Sequence, residues 1–453
     1  MMRSLYSGVA GLKTHQTRMD VIGNNIANVN TTAYKSQSMT FSDLMYQTTQ
    51  AASGANPTTG VGGTNARQIG LGAKTSAIKT AITTQGASQT TNDPFDIMIT
   101  GDSFFIVNNG QNNYFTRDGS FYVDGAGNLA MTSTGYNVMG WKVDPNDASA
   151  IKQDTVSALR VMTTENMTYP PEATKSARIS GIIDKNDTNV NATAGKIMNL
   201  EFYDNQGYKY TAKLSVHSTK DDGKFTVKLD DILDSKGTSV MVAGKASLQQ
   251  NNADVNDPVL EFDLKNGSFK NVGPAGGAGG TESTLTLHFD AGTFPSFTDI
   301  TIDFSKCSNL NNNGSSTVSP IRGDAKGNGA GRKVGEMSGI EIQKDGMIYA
   351  NYDNGCSRLL GQIAVATFAN ASGLAKEGDN LYSATQNSGD FDGIGTDITT
   401  GGGYMNTGVL EMSNVDLSSE FTEMITTQRG FQANSRIITV SDTLLEELTN
   451  LKR

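Results

Sequence analysis

Each end of this chain carries an apolar residue every seventh position, and most of the chain lies between the two runs. Leu5, Leu12, Met19 and Ile26 form the first stripe, and Leu417, Met424, Phe431, Ile438 and Leu445 the second. A strict seven-residue repeat belongs to helices that pack side by side with a slight left-handed supercoil. The spacing therefore predicts a helix over 5–28 and another from Leu417 to Leu445, made for each other or for copies in other chains. The positions between the heptad residues are mixed: Gly8, His15 and Ile22 in the first run, Phe421, Gln428, Ser435 and Asp442 in the second. Phe421 adds a further apolar contact to the second. Gly8, Gly11 and Gly23 interrupt the first helix and Gly430 the second, and each interior glycine costs about 1 kcal/mol of helix propensity against alanine. Such segments are marginal alone in water and gain stability when the stripe finds a partner. Gly8, Gly11 and Gly430 are also where two helices can approach closely. A simpler reading, two amphipathic helices capping a globular core, stands beside this one.

Between the helices the pattern is β. From about Leu71 to Trp141 short apolar runs alternate with turn pairs: Asn109-Gly110, Asp118-Gly119, Asp124-Gly125 and Thr134-Gly135 are hairpin and turn signals. Gly339 to Phe368 repeats this style around Asp345-Gly346 and Asn354-Gly355. Between these blocks lies a segment richer in Asp, Asn, Lys and Thr, with alternating strands such as Asn199 to Tyr203 and Tyr210 to Val216. The expected fold is mainly β with terminal α-helices and nested all-β domains. Residues 1–30 and 408–453 form a terminal helical domain and 31–70 an extended linker region. Residues 71–145 and 331–407 form an inner β domain, and 146–330 an inserted outer β domain.

Composition narrows the function. The chain has 453 residues, 50 of them glycine, and a net charge of −10 without a basic block, which argues against nucleic acid as a partner. Charged residues make up 18%, below the roughly 25% usual for soluble proteins. No stretch is long and apolar enough to span a membrane. The first helix, broken by Gly8, Gly11, Lys13, His15 and Arg18, does not read as a cleavable signal peptide. Cys307 and Cys356 lie far apart and read as free thiols; no metal spacing accompanies them. Three scattered histidines, His15, His217 and His288, are thin material for a catalytic site. The Gly-rich runs Gly273 to Gly280 and Gly323 to Gly331 lack the Lys-Ser/Thr of a phosphate loop. Arg322-Gly323-Asp324 and Asp392 to Asp397 match adhesion and calcium patterns too short to carry function. No catalytic, cofactor-binding or metal residue is assigned.

The residues resemble a family. SGVAGLKTHQTRMDVIGNNIANVNTTAYK, from Ser7 to Lys35, and GVLEMSNVDLSSEFTEMITTQRGFQANSRII, from Gly408 to Ile438, resemble the terminal motifs of bacterial flagellar rod, hook and hook-associated proteins. Gly101 to Trp141 resembles their shared β module, and Phe368 to Tyr382 its returning half. Leu200 to Val216 is similar to the outer domain of hook subunits. Two positions depart from the family pattern: Ala33 stands where glycine is usual, and Gly101-Asp102-Ser103 replaces Gly-Asn-Gly. The resemblance implies a non-enzymatic hook subunit that polymerises with itself into a curved tube transmitting torque. It implies the distal rod protein, a hook-associated protein, the hook cap and the flagellar export apparatus as partners. It also implies a place in the flagellum, outside the cytoplasm, after export without a cleaved signal. The competing readings are a secreted β-rich adhesin or enzyme with helical ends, or another rod or hook-associated subunit.

Overall fold

The computed structural model describes residues 2–54, 60, 62–251, 253–274 and 282–451. The chain divides into two compact units. One comprises Met1–Thr163, Ile340–Ala350 and Arg358–Arg453, the other Thr164–Gly339 and Asn351–Ser357.

The first unit holds both helices, α1 over Met2–Ala27 and α2 over Leu417–Asn450. Asp416 caps α2, its carboxylate accepting from the Ser418 amide at 2.9 Å, which satisfies one of the orphan donors of the first turn. After α1 the chain does not run as a linker. Gln37–Asp43 pairs antiparallel with Ala73–Thr80, and Tyr46–Gln50 with Arg67–Gly70. The segment expected as linker is thus one arm, and part of the return, of a long hairpin that closes beyond residue 70. Tyr46–Gln50 and Arg67–Gly70 are exposed along their whole length, so no buried face marks them in the sequence. Of the Gly-rich run 60–63, Val61 lies outside the described residues.

The β module of this unit is built around Phe104–Asn108. That strand sits between Asn137–Asp144 and Asn113–Thr116, and the sheet continues to Leu381–Ser383 and Ala375–Gly378. Successive side chains of a strand face opposite ways. Phe105 and Val107 accordingly enter one apolar cluster with Ile97, Leu129 and Met131, while Phe104 and Ile106 enter another with Phe115 and Trp141. Burial on both faces explains the unbroken run Phe-Phe-Ile-Val, where a half-exposed strand would alternate. Trp141, the chain's single tryptophan, donates from Nε1 to the Ile394 carbonyl at 2.9 Å.

The second unit is two sheets sharing one core. The five-stranded sheet runs Lys196–Tyr203, Lys209–Ser218, Lys224–Leu233, Val259–Phe262, Phe269–Gly273. The six-stranded sheet contains Thr284–Phe289, Ile300–Asn309 and Ser176–Ile183, the last two parallel. Met198, Leu200 and Phe202 from the first sheet meet Leu285, Leu287 and Phe289 from the second, each set at period two. The seams differ from those expected at 146 and 330. Asp147–Ile151 and Ser157–Ala158 both pair back onto Asn137–Asp144, which carries the first unit to Thr163. Gly335 and Glu336 pair with Tyr169 and Thr168, which carries the second unit beyond 330. The loop 275–280 expected as Gly-rich lies outside the described residues.

Four turns repeat one device. The carboxylates of Asp124, Asp204, Asp234 and Asp324 each accept from the backbone amides two and four residues on, at 2.7–3.0 Å. The glycine three residues on has φ between +80° and +86° in all four, a conformation that only glycine adopts without strain. These hydrogen bonds hold Asp124 and Asp324 below the usual carboxylate range, led by those from Asn128 and Asn328 respectively. Asp324 is thereby consumed within its turn, and Arg322 lies over the Tyr203 ring at 4.7 Å, so the Arg-Gly-Asp tripeptide is a turn.

The departure at Ala33 has a structural consequence. Ala33 has φ +54° and is buried, in the left-handed region that disfavours a Cβ by about 1–2 kcal/mol. Ala33→Gly should therefore stabilise the first unit, by up to about 1 kcal/mol once the greater freedom of an unfolded glycine is subtracted. Denaturant unfolding followed by Trp141 fluorescence measures it, and a lower midpoint would contradict this account.

Candidate assembly interface

α1 and α2 lie antiparallel. Ser4 Oγ is 3.5 Å from Ser441 Oγ, the Arg18 guanidinium 3.0 Å from Glu423, and Asn25 Nδ2 donates to Glu420 Oε1 at 2.8 Å. Glycines allow the close approach. A Cβ on Gly8 would stand 3.3 Å from Ile438 Cγ1, one on Gly11 2.8 Å from the Asn434 amide, and one on Gly430 2.7 Å from the His15 ring.

The contacts fix which faces meet. On α2 the inward positions are 420, 424, 427, 431, 434, 438, 441 and 445, alternating steps of four and three. Met424, Phe431, Ile438 and Leu445 supply the half-buried apolar half of that seam. The other half is polar: Glu420, Thr427, Asn434 and Ser441. Of the residues between the stripe positions, Phe421, Gln428 and Asp442 are exposed and Ser435 half-buried, because the second seam position falls three residues after the stripe, not four. Phe421 lies off the seam, Leu417 continues its period at the first turn, and both are exposed. On α1 the residues brought against α2 are Gly8, Gly11, His15, Arg18 and Asn25. Leu5, Leu12, Met19 and Ile26 are half-buried on a flank roughly a fifth of a turn away. The two stripes are not mated edge to edge.

Asn25 is the most completely used polar side chain here. It is fully buried; Nδ2 donates to Glu420 and to the Gln37 carbonyl, and Oδ1 accepts from the Gln37 amide and the Tyr34 hydroxyl. All four of its hydrogen-bonding positions are filled. It ties α1, α2 and the hairpin together. Burial raises the Glu420 carboxyl above its usual range, its neighbour Glu423 adding to the effect.

Little of this pair is buried. Of the 34 residues of α2, the buried ones are Thr427 and Ser441, while Ile437, Val440, Leu444, Leu448 and Leu451 form an exposed row. Met2, Tyr6 and Val9 form another on α1. Sequence reasoning missed both rows, although their steps of three and four are legible. A helix whose buried residues are hydroxyl side chains and whose aliphatic row is open gains little stability from its own chain.

His15 occupies the tightest point of the seam. Its ring meets Phe41 of the hairpin edge-on at 5.5 Å and lies against Gly430. Desolvation, then the Arg18 charge, hold its pKa below the ordinary value. The charge that acts on it is Arg18, which is paired with Glu423. Cys307 is a free buried thiol pushed up to about 12 by burial. Cys356, also free, accepts from Arg332. Among the described residues no group of His, Cys, Asp or Glu is arranged to hold a metal ion.

Two outcomes follow from the seam. Gly430→Val should separate the helices, because the added carbons enter the space of the His15 ring; amide exchange across 8–25 and 424–441 should rise while Trp141 fluorescence stays native. Mild acidification should act in the same direction. The unfolded chain binds a proton on His15 near pH 6.5 and the packed seam binds it only at lower pH. Stability is therefore full above about 6.5 and falls as the pH drops through and below it. Helix protection factors, taken relative to the intrinsic exchange rate at each pH, should fall as the pH drops below about 6.5, and His15→Gln should remove that fall; Glu420, raised by burial, acts in the opposite sense in both proteins.

Comparison with known proteins places the chain in a family. Residues 5–35 match the family model of the flagella basal body rod protein, 98–180 that of the flagellar hook protein FlgE/F/G D1 domain, and 406–451 that of the flagellar basal body rod FlgEFG protein C-terminal region. The chain is 38% identical to the flagellar hook protein FlgE of Borreliella burgdorferi and 34% identical to that of Treponema pallidum, over the full length of each pair. It is 29% identical over full length to the flagellar basal-body rod protein FlgG of Bacillus subtilis. Among solved structures, Helicobacter pylori flagellar hook protein FlgE2 aligns with 70% of this chain and 99% of that one, at a TM-score of 0.41 and 14% identity. With open helical ends around nested β units and full-length identity of this order, the chain belongs to the flagellar hook protein FlgE family.

Proposed function

We propose that this chain is a structural subunit that polymerises with itself, through its terminal helices, into the curved and flexible tube of the flagellar hook, which transmits motor torque to the filament. The observation that carries the reading is the open aliphatic row on α2, continuous over Ile437 to Leu451, in a helix its own chain scarcely buries. The row, the Met2–Tyr6–Val9 face of α1 and the stripe residues Leu5, Leu12, Met19 and Ile26 are chemically different surfaces. Contacts between unlike surfaces propagate into an open helical filament when their rotation does not close into a ring, whereas like-to-like contacts close on a pair. Gly8, Gly11 and Gly430 admit the close packing, and Leu417, Phe421, Met424, Phe431, Ile438 and Leu445 supply apolar contacts.

On this reading the partners beyond other copies are the distal rod protein, a hook-associated protein, the hook cap and the export apparatus. The site of action is the flagellum, reached by export without a cleaved signal. No described helix is long and apolar enough to cross a membrane. The second unit supplies bending: its surface is rich in Asp, Asn, Thr and Lys, and polar, wet contacts exchange at small cost.

Electron microscopy of the purified chain tests the reading. Curved tubes are expected from the wild type. Val440→Asp with Leu444→Asp should abolish them while leaving Trp141 fluorescence native, since both side chains are exposed in the single chain. Normal tubes from the double variant would refute the helical wall.

A further inference from the structure

The segments that root the two helices cross at one buried point. Glu411, six residues before α2, is fully buried, as are Lys35 and Arg117 to within 1%. Lys35 Nζ donates to Glu411 Oε1 at 2.7 Å and to the Thr84 carbonyl at 2.7 Å. The Gly86 amide donates to the same Oε1 at 2.9 Å. Arg117 Nη1 stands 3.7 Å from Glu411 Oε2, and its guanidinium lies over the Phe104 ring at 5.2 Å, inside the β module. One carboxylate thus meets the root of α1, through Lys35, and the β module, through Arg117, while its own backbone begins the root of α2.

The main chain reinforces this crossing. The Ala33 amide donates to the Glu411 carbonyl at 2.7 Å and the Asn414 amide to the Tyr34 carbonyl at 3.3 Å. The Asn414 side chain accepts from the Ser36 amide and donates to the carbonyls of Ala81 and Thr84. An apolar contact would hold these segments together yet let them slide. The Lys35–Glu411 hydrogen bond is charge-assisted and directional, Arg117 faces Glu411 Oε2 as an ion pair without a hydrogen bond, and removing one partner of such a buried group leaves its counterpart uncompensated.

We propose that Glu411 is the positioning residue that locks the roots of α1 and α2 to the β module, so that helix pair and module turn as one body. The turning rests on the hook reading; the lock itself belongs to the single chain and is measured there. In dilute, unpolymerised full-length protein, Glu411→Gln should speed amide exchange in peptides covering 33–37 and 411–415 by about tenfold or more. Peptides covering 104–107 and 129–131, and Trp141 fluorescence, should remain native. Unchanged exchange at the roots would overturn the proposal. If Glu411→Gln fails to fold, Lys35→Met carries the test, because Arg117 still faces Glu411. Faster exchange confined to the roots is expected, and wild-type exchange in Lys35→Met would overturn the proposal. Tube formation by the wild type is scored separately, and its failure would count against the assembly reading while leaving the root measurement intact.

Discussion

A carboxylate buried between two cations is the most demanding interaction in the first unit. Taking Glu411, Lys35 and Arg117 out of water is unfavourable for each alone, and stripping one partner from such a group typically destabilises by about 3–5 kcal/mol. The group forms only when residues 376 positions apart in sequence have been brought together. The antiparallel helices and the Asn25 network likewise need the chain ends to meet. The ends of the chain are therefore tied most firmly at their roots, through buried charges, and more weakly along the helices.

The helix seam continues the same logic in weaker form. One half of the α2 seam is aliphatic and aromatic; the other is Glu420, Thr427, Asn434 and Ser441. Polar seam residues lower stability but select a register, and here three of the four have a neighbour at a matching height on α1: Asn25 for Glu420, Gly11 for Asn434, Ser4 for Ser441. A wholly aliphatic seam would hold the two helices tightly and leave less apolar surface facing outward. The polar seam sets the pairing while the aliphatic row at Ile437, Val440, Leu444 and Leu448 stays available to other chains.

What the sequence made legible follows from how local each signal is. The strands of the β module were readable because their apolar runs are short and bounded by Asn-Gly or Asp-Gly pairs, and Ile97–Ile99, Phe104–Asn108 and Leu129–Met131 lie where those signals put them. The α2 stripe was readable by period alone, and Ile438 meets Gly8. Its second half was not, because Thr427 and Ser441 carry no apolar mark and the eye prefers Phe421. The hairpin after α1 was missed for the same reason: Tyr46–Gln50 shows no buried side. Lys35 and Glu411 stand in terminal motifs that the resemblance picked out, yet nothing in either motif states that the two side chains touch. Long-range pairing of charges has no period.

Ala33 joins these levels. Its departure from the family's glycine is visible in sequence, but its meaning depends on the backbone. The left-handed turn it makes lets its amide reach the Glu411 carbonyl at 2.7 Å, two positions before Lys35 enters the charged group. The strain of a Cβ in that conformation persists because the surroundings over-determine it: Tyr34 and Lys35 on one side are fixed by Asn25 and Glu411, and Asn380 donates to the Thr32 carbonyl on the other. A strained residue held between two fixed networks marks where the helix direction is set. The chain leaves α1, turns through Ala33 in the left-handed region and is held within three residues by the Tyr34, Lys35 and Thr32 hydrogen bonds, so a substitution at position 33 acts at the join of helix and hairpin.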